Sequence, residues 1–147
     1  MITFTAAVSI ILAIEGGYSN RLEDGPTKYG ISGRAHPTVN VKNLSIKQAI
    51  RIYKEKYWIP CKVDDVPNII KLSYFDSCVN KGVWATMKML ASITGGNQTT
   101  MFERLAEMDE RVLAETFYKK RLSYYKSLPT WNIFSDSWKY RLEKTRG

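Results

Sequence analysis

Glu15 closes the apolar run from Phe4 to Ile14 and is followed at once by Gly16-Gly17-Tyr18. Nine residues beyond it comes Asp24, in the turn-forming Asp24-Gly25-Pro26. The two carboxyl groups stand in opposite surroundings. Phe4, Val8, Ile11 and Leu12 recur at helical spacing, so the run predicts a helix with Glu15 at its C-terminal end. The partial negative charge of that end disfavours an ionised carboxylate, and apolar surroundings act in the same sense. A carboxyl group that keeps its proton near neutral pH is what a general acid requires. The two glycines let the backbone turn sharply and leave the carboxyl group uncrowded. Asp24, in a polar turn, is expected to stay ionised. Such a pair is the basic equipment of glycoside hydrolysis. A plainer reading of the same residues is a solvent-facing Glu at a helix end, followed by an ordinary Asp-Gly turn.

Other catalytic devices lack their parts. His36 is the one histidine and stands in Arg34-Ala35-His36-Pro37, a loop by its composition. A Ser-His-Asp or Cys-His device would have to use it, and a zinc site would need carboxylates for most of its ligands. Neither a metal nor a cofactor is expected. Cys61 and Cys78 stand 17 residues apart with no CxxC or Cys/His cluster around them. Two buried free thiols are expected there rather than a bridge.

The elements that must hold Glu15 and Asp24 are mostly helices. Thr3 or Thr5 can cap the first, and Gly16-Gly17 ends it. Residues 18–44 are rich in Gly, Pro, Asn and Asp. They read as loop, with a short extended piece at Thr27-Lys28-Tyr29-Gly30-Ile31. Ser45-Ile46-Lys47-Gln48 is a capping box, with Leu44 placed as its staple residue. It opens a helix through Ile46, Ala49, Ile50, Tyr53 and Tyr57 as far as Pro60. Further helices are predicted over 67–79 and 83–93, and one broken or two consecutive helices over 103–128. Trp131, Phe134, Trp138 and Leu142 step a closing amphipathic helix, with Trp131 and Trp138 expected in the core. The fold class is therefore mainly α, helical with at most a small β-hairpin or extended loop after the first helix. A single domain over 1–147 is expected. Residues 1–82 carry the catalytic motif, and 83–147 form a helical C-terminal half that is not a separate domain.

Among 147 residues, 44% hydrophobic and 24% charged exclude a disordered tail or a coiled coil. The net charge of +8 favours polyanionic surroundings: nucleic acid, anionic lipid or bacterial wall. The excess is uneven. Residues 1–41 are neutral, 42–62 hold six basic and one acidic side chain, and 111–147 hold nine and three. Those stretches are either ordinary solvated helix faces or a landing surface for an anionic polymer. No helix strings its basic residues into a groove-reading face, so nucleic acid is not expected as a partner. The run from Phe4 to Ile14 has no basic residue before it and no small-residue cleavage site after it. Its eleven residues are also too few to span a bilayer, which takes about 20. A monomer without an integral membrane segment is expected, synthesised in the cytoplasm without a signal peptide.

Glu15-Gly16-Gly17-Tyr18, the Asp24-Gly25 turn and Thr27-Lys28-Tyr29-Gly30-Ile31-Ser32 together resemble the motif of glycoside hydrolase family 108. Those enzymes are the N-acetylmuramidases (lysozymes) of phages and bacteria. The likeness continues along the chain. Ala49 to Trp58 is similar to the family's Ala-x3-Tyr-x3-Tyr-Trp block, and Phe75 to Gly82 to its Phe-Asp-x-x-Val-Asn-x-Gly block. Lys120 to Tyr125, with Phe134 and Trp138 to Arg141, is similar to its closing Arg-x-x-Tyr and Trp-x-x-Arg. Four blocks in order are far more specific than any one. The family's usual Gly-Gly-x-Thr is here Asp24-Gly25-Pro26-Thr27, in a shorter loop.

The resemblance implies a lysozyme-like helical fold and a peptidoglycan hydrolase. The enzyme would cut the β-1,4 bond between N-acetylmuramic acid and N-acetylglucosamine, as a phage endolysin does. The family's catalytic glutamate falls on Glu15 as general acid. The Glu-x8-Asp spacing to Asp24 also resembles that of phage-type lysozymes, which implies Asp24 as second carboxylate and Thr27, the third polar group, positioning water. Tyr29 and Asn80 are candidates for hydrogen bonds to sugar or acetamido groups, each with a purely structural bond as the alternative. Tyr18, beside the glutamate, is a candidate to line the cleft. Asp76, four residues before Asn80, either ties down a loop or touches substrate. The implied partner is bacterial peptidoglycan, reached in the periplasm after holin-type or dedicated release. A non-catalytic wall-binding or structural phage protein of the same fold is the alternative.

Overall fold

A computed structural model describes residues 1–21 and 25–146. The chain divides into two compact units, Thr3–Lys56, and Met1–Ile2 with Tyr57–Gly147. The first unit opens with helix α1 (Phe4–Glu15), whose N-cap Thr3 accepts a hydrogen bond from the Ala6 N–H at 3.2 Å. Three short antiparallel strands follow in sheet order: β1 (Ser19–Arg21), β2 (Gly25–Lys28) and β3 (Ile31–Ser32). A 3-10 turn at Val41–Asn43 leads to helix α2 (Ile46–Tyr53). The capping box forms as expected: Ser45 Oγ accepts from the Gln48 N–H, and Gln48 Oε1 accepts from the Ser45 N–H. Beyond Tyr53 the helix widens into a π segment, Lys54–Trp58, and stops at the Ile59-Pro60 turn. Val8, Ile11, Ile31, Val41, Ala49 and Tyr53 are buried.

The second unit is helical. It holds α3 (Asn68–Lys81), α4 (Val83–Ile93), α5 (Met101–Glu107), α6 (Glu110–Ser127) and α7 (Trp131–Thr145). Asp109 separates α5 from α6 and caps the latter by accepting from the Val112 N–H. Helix α3 packs against α4, α6 and α7, and every residue from Ile70 to Cys78 is buried. A helix covered on all sides must pair its polar groups internally. The Ser77 and Thr86 hydroxyls bond each other at 3.0 Å, and the Tyr74 hydroxyl donates to the Cys61 carbonyl at 2.8 Å. Asp76, with no exposed surface, takes Arg121 Nη2 at 2.6 Å and Arg141 Nε at 2.8 Å. Arg121 also donates to Thr145 Oγ1. One carboxylate thus ties α3 to α6 and α7.

Two expectations are corrected. Cys61 and Cys78 are joined as a disulfide, their Cα atoms 6.7 Å apart. The turn after the π segment brings Cys61 to α3, a juxtaposition that spacing along the chain does not reveal. Trp131 and Trp138 are half-buried rather than core. Trp138 stacks on Tyr125 at 4.9 Å and on Trp131 at 6.1 Å between centroids, while the residues of α7 that are buried are Arg141, Leu142 and Thr145.

Asp76→Asn removes the buried carboxylate charge that Arg121 and Arg141 share. It should cost about 3–5 kcal/mol in urea unfolding. Reducing the Cys61–Cys78 bridge, which closes a loop of 17 residues, should cost about 3 kcal/mol in the same measurement.

Candidate active site

Glu15 is the last residue of α1 and is half-buried. Gly16 follows with φ +74°, and its N–H returns to the Leu12 carbonyl at 3.2 Å, which closes the helix. The chain then runs through Tyr18 into the sheet, where β2 is the middle strand. Thr27 sits there, opposite Ser19 of β1 and Ser32 of β3.

Strands β2 and β3 are joined by the two-residue turn Tyr29-Gly30, with φ +53° and +78°. Positive φ at both positions is the turn whose twist matches a tight hairpin. A tyrosine in the left-handed region is uncommon. Here it is secured from outside: buried Tyr53 of α2 donates its hydroxyl to the Tyr29 carbonyl at 2.5 Å. Gly30 is where the hairpin meets α1. A Cβ at that position would overlap the Tyr53 hydroxyl and lie 2.7 Å from Glu15 Cγ and 2.9 Å from Glu15 Cβ. Only a hydrogen fits, so the turn rests directly on the stem of the glutamate.

The first unit therefore brings together Glu15 and the turn that contains Tyr29. Thr27, two residues before Tyr29, is half-buried, and Tyr18 is 47% exposed. The Lys28 ammonium lies 5.4 Å from the centre of the Tyr29 ring. Asp24 lies outside the described residues. Asn80 belongs to the other unit, where its Oδ1 accepts the Tyr125 hydroxyl at 2.5 Å. Burial is the first cause that raises the Tyr125 phenol above its ordinary range, so this group remains a donor at neutral pH. Asp76 is enclosed by its two arginines and serves as a structural tie. His36 is held below the ordinary histidine range by burial first and by the charge of Lys56 second, which leaves the imidazole neutral at pH 7. Among the described residues, no group of three His, Cys, Asp or Glu side chains is placed to hold a metal ion.

Two participants escape sequence reasoning. Gly30 carries no side chain to draw attention, and Tyr53 reads as one more apolar position of α2. The signal available was the Tyr-Gly pair itself, between two extended stretches.

Gly30→Ala forces a methyl group against Glu15 and Tyr53 from a backbone that disfavours it. A loss of about 1–3 kcal/mol is expected in urea unfolding. Tyr53→Phe, which leaves the Tyr29 carbonyl without this donor, should cost about 1–2 kcal/mol in the same measurement.

Comparison with known proteins bears on the whole arrangement. The model of the family Glycosyl hydrolase 108 matches residues 8–82, half of the chain. That span holds Glu15, the sheet, Tyr53 and α3. Among solved structures, the chain is similar to one described as the structure of Brucella abortus SagA. The two share 25% sequence identity and a TM-score of 0.87, over 97% of this chain and 91% of that one. No curated protein matches. The mainly helical, lysozyme-like fold expected from the sequence is the fold observed. With Glu15, the hairpin and the block from Ala49 to Trp58 all inside the matched span, the chain belongs to the glycosyl hydrolase 108 family.

Proposed function

We propose that this glycoside hydrolase acts on bacterial peptidoglycan as an N-acetylmuramidase, with Glu15 as its general acid. The observation that carries the reading is the approach of the β2–β3 turn to Glu15 at the end of α1. The turn buttresses the stem of the side chain on one side, which supports a fixed position for the carboxyl group. A general acid needs such a fixed position to meet the glycosidic oxygen.

In this mechanism Glu15 protonates the oxygen as its bond to C1 of N-acetylmuramic acid breaks, and N-acetylglucosamine leaves as a neutral alcohol. Asp24, aided by Thr27, stabilises the positive charge at C1 and orients a water molecule on the opposite face. The water's oxygen completes C1 and its proton passes to a carboxylate. Thr27 stands two residues before the turn that rests on Glu15, and this supports a place near the reacting centre. Tyr29 and Tyr18 are the proposed sugar contacts on the same unit, and Asn80 is proposed on the other.

The order of Glu15, Asp24 and Thr27, similar to that of phage-type lysozymes, supports a phage endolysin. We place its action in the periplasm, after synthesis in the cytoplasm and release through a holin-type or dedicated route. The Cys61–Cys78 disulfide supports an oxidising working compartment.

The test is turbidity of isolated Gram-negative sacculi. Wild type should clear them, and Glu15→Gln should be slower by about 10²–10⁴-fold with unchanged thermal unfolding. Equal clearing by both proteins overturns the assignment of Glu15, and clearing by neither overturns the hydrolase reading.

A further inference from the structure

Helices α4 and α6 leave between them an open groove of about 600 Å³. One wall carries Trp84 and Lys88, one turn apart on α4, with Lys81 beside them at the end of α3. The other carries Lys120 and Tyr124, one helical turn apart. Trp84 is 76% exposed, the most exposed aromatic ring among the described residues. The Lys81 ammonium lies 3.7 Å above the centre of the Tyr124 ring.

The charge of this groove is one-sided. No carboxylate lines it, and none of its three lysines makes an ion pair among the described residues. Burial first, and then the charge of Arg121, hold Lys81 below the ordinary lysine range. Two of the three lysines lie in a stretch, residues 63–110, where acidic side chains outnumber basic ones seven to four. The cluster is thus local, not a sample of the general basic excess.

A row of unpaired ammonium groups beside an exposed indole suits a ligand that offers carboxylates next to a flat ring. Peptidoglycan offers both: pyranose faces along the glycan, and free carboxylates on the peptide stems. We propose that the α4–α6 groove is a second peptidoglycan-binding site, in which Trp84 stacks on a sugar and the three lysines take stem carboxylates. The proposal rests on the peptidoglycan reading above, but concerns residues outside the proposed catalytic set. The groove would keep the enzyme on the polymer between cuts, and binding there would weaken as salt rises.

The test is co-sedimentation with sacculi in the Glu15→Gln background, so that the polymer is not consumed. Trp84→Ala should weaken binding about tenfold, and the double variant Lys88→Gln/Lys120→Gln should weaken it and flatten its salt dependence. Trp84 is mostly exposed, so circular dichroism should show an unchanged fold. Glycan strands stripped of their peptides should bind less tightly than intact sacculi. Unchanged sacculus binding in both variants, or equal binding to stripped strands, overturns the proposal. So does tighter binding to DNA or to phosphatidylglycerol vesicles, lost in the same variants. Hydrolysis is scored separately: the Trp84→Ala enzyme, with Glu15 restored, should still cut a soluble stem-free oligosaccharide at the wild-type rate. Loss of hydrolysis in wild type with groove-dependent binding intact would sink the hydrolase reading alone.

Discussion

At residue 30 the backbone of the β2–β3 turn comes so close to the stem of Glu15 that a single methyl group would not fit. The candidate site depends on that approach. It fixes where the hairpin lies against α1, and it requires the unusual left-handed tyrosine beside it. The hydroxyl of Tyr53 holds that tyrosine's carbonyl and so couples α2 to the turn. Three elements that are distant in sequence are thereby locked around one carboxyl-bearing side chain. The closed end of α1 at Gly16 then directs the chain into the sheet that completes the arrangement.

The helical unit is organised by a different interaction. Asp76 sits on a helix buried on every side, where an unpaired charge would cost several kcal/mol. Its two arginines satisfy it from α6 and α7, and the Thr145 hydroxyl and the Asn80 amide extend the network through Arg121 and Tyr125. Within the stretch from Phe75 to Gly82, the Asp76 carboxylate holds three helices together.

Local features were legible in the sequence and non-local ones were not. The Ser45 capping box and the boundaries of α4 depend on hydrogen bonds and periodicity within a few residues, and they formed as read. The strands of residues 18–44 are two to four residues long, and β2 opens with Gly-Pro. They carry no alternation to detect, and their geometry depends on the Tyr29-Gly30 turn and on Tyr53. Helical spacing correctly put Trp131 and Trp138 on one face of α7. It could not say what covers that face, which is a stack with Tyr125 rather than a core. The Cys61–Cys78 pairing was hidden for the same reason, since it depends on where a π segment ends. Glu15 drew attention as a candidate for local reasons. Its type, its place after an apolar run and the two glycines behind it are all visible in one short stretch, and the family match covers that stretch.

The central claim is that the bond cut is the one whose anomeric carbon belongs to N-acetylmuramic acid. The direct measurement is mass spectrometry of the soluble products released from sacculi, after borohydride reduction of their new ends. Cleavage at that bond gives muropeptides whose reduced terminus is N-acetylmuramitol, appearing with wild type and absent with Glu15→Gln. Reduced N-acetylglucosamine ends would contradict it, as would release of peptides with no new reducing end.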